Sequence, residues 1–232
     1  MLTLKDKLLL FLDLLSDQEI FCPRRFIAQS FSSYKYSAVD QRLRDLARKG
    51  MVASSGRGNS GLIKLKVPLT EFWKSEVFDR RRFGEGWQWD GLWRIVLFDI
   101  AEEQRKVRDS IRRKLKSLGF AMFQKSVWIT PFDVASQMSS FLKKIGLKGP
   151  VEILEGKRLF VENEKTLADK LWDLKTVNQS YKRLAEGELF SFEDFLKVKV
   201  SDPCLPKELL IRPWYATAAE ARLKKFIGTE LI

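Results

Sequence analysis

The stretch from Trp87 to Pro131 constrains the fold more than any other part of the chain. An apolar run, Leu92-Trp93-Arg94-Ile95-Val96-Leu97-Phe98, ends in the carboxylate of Asp99. A segment crowded with Arg and Lys follows, and Val107, Ile111, Leu115 and Leu118 recur through it at helical spacing. A second apolar run then returns to Ile129 and stops at Pro131. Two short runs around a 3.6-period segment read as strand–helix–strand, the opening half of a ferredoxin-like split fold. The pattern predicts a strand over 93–98, a helix over 103–118, a strand over 123–129 and a helix over 134–145. Short closing strands are expected at 151–154 and 158–161.

Upstream, Leu4, Leu8, Phe11, Leu12 and Leu15 form a helical stripe, and Pro23 suits the first turn of a second helix carrying Phe26, Ile27 and Phe31. After a turn at 32–35, a third helix is expected from about Ser37 to Lys49. Ser37 is its expected N-cap, Val39, Leu43 and Leu46 face its core, and Gly50 stops it. Residues 51–54 and 62–67 flank a Gly/Ser loop and read as a hairpin. Three helices and a two-stranded ribbon make a winged helix-turn-helix. The expected class is therefore α+β: a winged helix-turn-helix over 1–70, a basic Gly- and Trp-containing linker over 71–91, a ferredoxin-like domain over 92–163 and a mainly helical region over 164–232. Within that last region one continuous helix is expected from Lys165 to Glu186, and another from Thr217 to Phe226.

Charge locates the partner. The net charge is +12, and residues 151–232 carry 14 basic and 14 acidic side chains, so the whole excess lies in the first 150 residues. Such asymmetry points to a polyanion bound by that part of the chain. The absence of histidine removes Ser/Cys–His nucleophilic catalysis and most zinc chemistry. Two distant cysteines, Cys22 and Cys204, lack zinc-ligand spacing and fit a reduced cytoplasmic setting. Asp13 and Asp17 interrupt the only stretch resembling a signal peptide, and no apolar run is long enough to span a bilayer.

Off the apolar stripe of the third helix stand Tyr36, Ser37, Asp40, Gln41, Arg44 and Arg48. A recognition helix would present Ser37, Asp40, Gln41 and Arg44 to base edges and Arg48 to phosphate. Arg57, between two glycines at the hairpin tip, has the character of a wing residue entering the minor groove or touching the DNA backbone. Lys64 and Lys66 would add phosphate contacts. The basic helix, with Arg105, Lys106, Arg108, Arg112, Arg113, Lys114 and Lys116, is either a solvated face or a phosphate-tracking one.

Asp99 has two readings. At the end of a strand in a two-fold dimer it could meet its mate and hold Mg²⁺ for phosphodiester hydrolysis. Alternatively it caps the loop into the following helix, as Asp133 would for the next one. The structural reading is preferred, so no catalytic residue and no cofactor are expected. Mg²⁺ at Asp99 enters only with the nuclease alternative.

Residues 89–100, with Leu118-Gly119-Phe120 and Gln124-Lys125-Ser126-Val127-Trp128-Ile129, resemble the phenylacetate-degradation repressor (PaaX-type) family. Leu171-Trp172-Asp173-Leu174 before Tyr181 extends the resemblance. So does the run from Asp202 to Leu210 with Trp214 and Ala218, although Tyr215-Ala216 stand where the family tends to have Pro-Gly. The resemblance implies a winged helix, a middle domain similar to the small dimeric CRISPR-adaptation nuclease subunit, and a helical C-terminal part. In that nuclease relative the aspartate matching Asp99 is the metal ligand. The implied function is a homodimeric transcriptional repressor on a double-stranded, inverted-repeat operator, controlled by a small acyl-CoA-type effector.

Overall fold

The computed structural model of the protein describes residues 3–16, 21–56, 61–66, 88–147, 150–157, 163–188 and 191–230. Arg57, Arg80-Arg81-Arg82, Trp87 and the expected closing strand at 158–161 lie outside them. The α+β class is borne out, with two antiparallel sheets among the described residues. The chain divides into two compact units. One comprises Met1–Trp73, Val177–Ser201 and Tyr215–Ile232, the other Lys74–Thr176 and Asp202–Trp214.

In the first unit, helix α1 (Leu4–Ser16) buries Leu8, Leu9, Leu10, Phe11, Leu12, Leu14 and Leu15, the composition of a helix enclosed by neighbours. Its start is secured by reciprocal bonds. Thr3 N donates to Asp6 Oδ2 at 2.9 Å, and Asp6 N donates back to Thr3 Oγ1 at 3.3 Å. A two-residue strand, β1 (Cys22–Pro23), leads into α2 (Arg24–Ser30), with Pro23 as the N-cap. Helix α3 spans Tyr36–Arg48 and buries Val39, Leu43 and Leu46 as predicted. Its N-cap is Lys35 and not Ser37, because the Lys35 carbonyl already accepts the amides of Ala38 and Val39. Gly50, at φ +69°, ends α3: its amide bonds Ala47 O while Met51 N bonds Leu46 O, a Schellman closure. Strands β2 (Val52–Ser55) and β3 (Leu62–Leu65) pair antiparallel, Val52 facing Leu65. The unexpected β1 adds to β3, with Cys22 opposite Ile63.

In the second unit, β4 (Trp93–Phe98) lies at the centre of a four-stranded antiparallel sheet of order β5-β6-β4-β7. A short 3₁₀ turn at Glu102–Gln104 precedes α4 (Arg105–Ser117), which buries Ile111 and Leu115. The single strand expected over 123–129 is instead a hairpin, β5 (Ala121–Gln124) and β6 (Val127–Thr130), turning at Lys125-Ser126. An apolar stretch interrupted by polar residues reads as one run, whereas Gln124 pairs with Val127 directly across the two-residue turn, with a register shift beyond it between Met122 and Gln124. Helix α5 (Ala135–Lys144) and strand β7 (Val151–Gly156) complete the sheet, β7 pairing with the whole of β4. The core gathers Trp93, Val96, Phe98, Ile111, Leu115, Trp128, Phe132 and Met138 with Leu205 and Leu209 from the later segment.

The expected continuous helix over 165–186 is broken. Helix α6 (Glu164–Trp172) stops at Asp173, in the left-handed region at φ +51°, and α7 (Leu174–Glu186) starts anew. The periodicity continues across the break, but short acidic side chains compete for the backbone. Asp169 Oδ1 accepts Lys175 N at 2.9 Å, and Asp173 Oδ1 accepts the Thr176 hydroxyl. Helix α8 (Phe192–Ser201), not expected from the sequence, and α9 (Ala216–Glu230) belong to the first unit. There Phe192 meets Phe11 at 4.7 Å and Phe31 at 5.4 Å between ring centroids, both edge-on.

Candidate nucleic-acid interface

The residues predicted to touch DNA are carried by α3 and β3. Because Val39, Leu43 and Leu46 claim the inner face of α3, Tyr36, Ser37, Gln41, Arg44 and Arg48 are left exposed along its outer side. Arg42 and Lys49 join them, two cations the sequence reading passed over.

Asp40 is placed differently from its neighbours. Its carboxylate is largely buried and bridges Arg24 Nη1 at 2.9 Å and Arg44 Nη2 at 2.9 Å, so both oxygens are engaged. Arg24 Nη2 in turn donates to Ser54 Oγ at 2.7 Å. A single arginine thus ties α2, α3 and β2 together, and Asp40 orients Arg44 through an i,i+4 pair. Arg24 was not singled out from the sequence; its place directly after Pro23, in the first turn of α2, was the available signal.

Asp45 plays a similar part lower on the helix, accepting from Gln41 Nε2 at 3.2 Å and pairing with Arg42 at 3.7 Å and with Arg48. These exposed pairs are weak and exchangeable for phosphate. Lys64 is half-buried with its ammonium 5.6 Å from the Phe21 ring centroid, and Lys66 is exposed beyond the end of β3. Helix and strand lie in one unit, so the described predicted DNA contacts, Asp40 among them, share a module in which cations dominate the exposed charge.

In the second unit, Asp99 follows the last residue of β4 and is exposed. Its amide donates to Pro150 O at 3.1 Å, but its carboxylate caps nothing: Ala101 occupies the N-cap of the 3₁₀ turn, without a side-chain bond. The capping explanation is therefore corrected for Asp99. It is corrected for Asp133 too, because Val134 is the N-cap of α5. Among the described residues no cluster of three metal-ligating side chains exists, so a single chain does not offer Mg²⁺ a ligand set at Asp99.

The strongest electrostatic feature of this unit escaped the sequence reading. Arg94, only 4% exposed and the second residue of β4, is bracketed by Asp90 at 2.6 and 3.0 Å and by Glu155 at 3.1 Å, with the Pro131 carbonyl at 3.3 Å. Burial opposes its charge, yet the two carboxylates outweigh burial and hold its pKa above the ordinary value. Partial burial raises the Asp90 carboxyl, and the Arg94 hydrogen bonds more than reverse this, leaving it below the usual carboxylate range. The signal was available: one cation inside an otherwise apolar strand must find compensating polar partners.

Comparison with known proteins gives two findings and one absence. Residues 87–168 match the family model described as the PaaX protein central Cas2-like domain. Among solved structures, the uncharacterized protein Rv0674 from Mycobacterium tuberculosis is similar with a TM-score of 0.57 and 19% identity, covering 95% of this chain and 93% of that one. At that identity the likeness concerns the fold alone. No curated protein matches the chain. The family resemblance carried by the Trp-Asp-Gly-Leu-Trp and Gln-Lys-Ser-Val-Trp-Ile motifs is thus borne out over residues 87–168, which match the PaaX central Cas2-like domain.

Proposed function

We propose that this chain is a sequence-specific DNA-binding transcriptional regulator, a homodimeric repressor whose first unit contains a winged helix-turn-helix. The match to the PaaX central domain supports a PaaX-type regulator in general. The observation that carries the DNA reading is the outer face of α3, where Tyr36, Ser37, Gln41, Arg44 and Arg48 stand exposed on a helix whose inner face is locked by Val39, Leu43 and Leu46. In this reading α3 enters the major groove, with Arg44 at base edges and Arg48 at phosphate. Arg57, Lys64 and Lys66 are the wing contacts, and Asp40 positions Arg44 without reading a base. Each subunit occupies one half-site of an inverted repeat, and a small acyl-CoA-type effector sets occupancy. The second unit supplies a ferredoxin-like scaffold, supported by the sheet order β5-β6-β4-β7. In the described residues, no helix is long and apolar enough to cross a membrane.

Fluorescence anisotropy on the DNA upstream of the chain's own gene, against a scrambled fragment, tests the reading. Preference for the upstream fragment is expected, with Arg44→Ala weakening binding by about 1–3 kcal/mol. Equal binding of both fragments and an unchanged Arg44→Ala variant would overturn it.

The exposure of Asp99, with no side-chain partner among the described residues, favours one second reading: a metal-dependent nuclease using two copies of Asp99. Strand cleavage in Mg²⁺ on a denaturing gel, lost in Asp99→Asn, would establish it, and intact strands would remove it.

A further inference from the structure

Helix α4 carries seven basic side chains and one acidic one, and the structure sorts them by task. Glu102 engages Arg108 through two hydrogen bonds, and Arg112 Nη2 donates to the Lys125 carbonyl at 3.5 Å. Lys114 is half-buried. That leaves Arg105, Lys106, Arg113 and Lys116 exposed. At 3.6 residues per turn these four fall within about 100° of the helix circumference, on the side away from buried Ile111 and Leu115. Lys106, Arg113 and Lys116 enter no ion pair among the described residues. Arg105 meets Asp109 only at 3.9 Å, with both side chains exposed, a contact that phosphate can replace.

A helix face that is merely solvated mixes its signs. On α6 and α7, Lys175 pairs with Asp169 at 3.0 Å and Lys182 with Glu186 at 3.6 Å. On α4 like charges adjoin instead: Arg112 and Lys116 are four residues apart and Arg113 and Lys116 three, spacings at which like charges destabilise a helix. The fold gains nothing from this arrangement, whereas a bound polyanion turns the repulsion into attraction. Sheet topology extends the surface. Strands β4 and β5 run antiparallel to β6, and β7 runs antiparallel to β4, so the crossover helices α4 and α5, which pack side by side, point in opposite directions. The last turn of α5, with exposed Lys143 and Lys144, therefore lies at the end of the helical layer where α4 begins.

We propose that the outer face of α4, through Arg105, Lys106, Arg113 and Lys116, is a second DNA surface that grips the phosphate backbone irrespective of base sequence. Arg105 and Lys116 are about 16 Å apart along the helix axis, enough to follow several phosphates spaced ~3.4 Å along each strand of a duplex. Unlike Arg44, which Asp40 braces, none of the four is held by a buried carboxylate, so the face suits phosphate and not base edges. The inference goes beyond the winged-helix contacts proposed above and rests on that reading only for duplex DNA as the ligand.

Anisotropy of the full chain on the upstream and scrambled fragments, across a salt series, tests it. The triple variant Lys106→Gln, Arg113→Gln, Lys116→Gln is expected to weaken both fragments by the same factor, roughly tenfold or more, and to lower the salt slope by about two to three. Its melting temperature should be unchanged or higher, because repulsion has been relieved. The charge-preserving pair Lys106→Arg, Lys116→Arg should keep both affinity and slope. Unchanged affinity and slope in the triple variant, a loss confined to the upstream fragment, or an equal loss in the charge-preserving pair would each overturn the proposal. So would phosphatidylglycerol vesicles whose binding the triple variant loses while its DNA affinity stays, which would assign the face to a membrane surface. The two readings fail separately: equal binding of both fragments removes the winged-helix specificity and leaves the α4 effect measurable, whereas an unaffected triple variant leaves the upstream preference standing.

Discussion

Single residues carry most of the structure's electrostatic commitments. Arg94 is the clearest, a buried cation whose carboxylate partners Asp90, Glu155 and, at 3.9 Å, Asp133 remain partly open to water. Because those partners can rehydrate, Arg94→Ala should cost about 2 kcal/mol, less than the roughly 3–5 kcal/mol of a fully buried pair, as read from urea denaturation. Its partner Asp90 makes stability depend on pH. A carboxyl held below its unfolded pKa of 3.8 adds stability that is complete above that value and is lost as pH falls through the lower folded value. Thermal melts from pH 7 to pH 3 should therefore show an acid-side decline that is shallower in Asp90→Asn. The two thiols make a third residue-scale contrast. Burial pushes Cys22 up to about 12, whereas Cys204 is partly exposed, so an alkylating reagent should label Cys204 and spare Cys22 until the protein unfolds.

At the scale of elements, stop signals decide where helices end. Gly50 closes α3 and Gly119, at φ +85°, closes α4 by the same pair of bonds. A methyl added at Gly50 meets nothing within 4 Å, so Gly50→Ala isolates the backbone term, expected at about 1–2 kcal/mol for a left-handed L-residue. Circular-dichroism melts would check it, and no change would mean that the turn tolerates a side chain. Local chemistry of this kind was legible: α3 and α4 and their buried stripes follow from apolar spacing and a terminal glycine. Where the reading missed, a tertiary or competing polar effect had prevailed. The β5–β6 hairpin hides inside one apolar run because nothing local shows that Lys125-Ser126 turns. The division of α6 from α7 depends on the Lys175 amide that Asp169 accepts and the Thr176 hydroxyl that Asp173 accepts. The candidate interface divides likewise: the exposure of Arg44 and Arg48 followed from the stripe of α3, but the role of Asp40 required the position of Arg24.

For the molecule as a whole, the two compact units do not follow chain order. Phe192, from well beyond the second unit's sheet, packs edge-on against Phe11 and Phe31 of the first. A fragment ending near residue 70 would expose those rings, so it should melt with less cooperativity and at lower temperature than the full chain. Phe192→Ala in the intact chain should cost about 3–5 kcal/mol in the same unit. The charge excess of the first 150 residues belongs to this scale too: if the proposed DNA reading holds, measured affinity should fall steeply as salt rises.

Sequence by itself determined what depends on neighbours along the chain: which segments are helical or extended, which faces are apolar, where glycine ends a helix, and where positive charge accumulates. It also carried the motifs that link residues 87–168 to the PaaX central domain. Only the tertiary structure decided which distant groups meet, because a side chain's partner across 30 or 60 residues leaves no periodic trace. Arg24 against Asp40 and Ser54, Arg94 between Asp90 and Glu155, and Phe192 on Phe11 all belong to that second kind. Each is a matter of burial: once water is excluded, every polar group needs a partner, and the fold alone determines which is within reach.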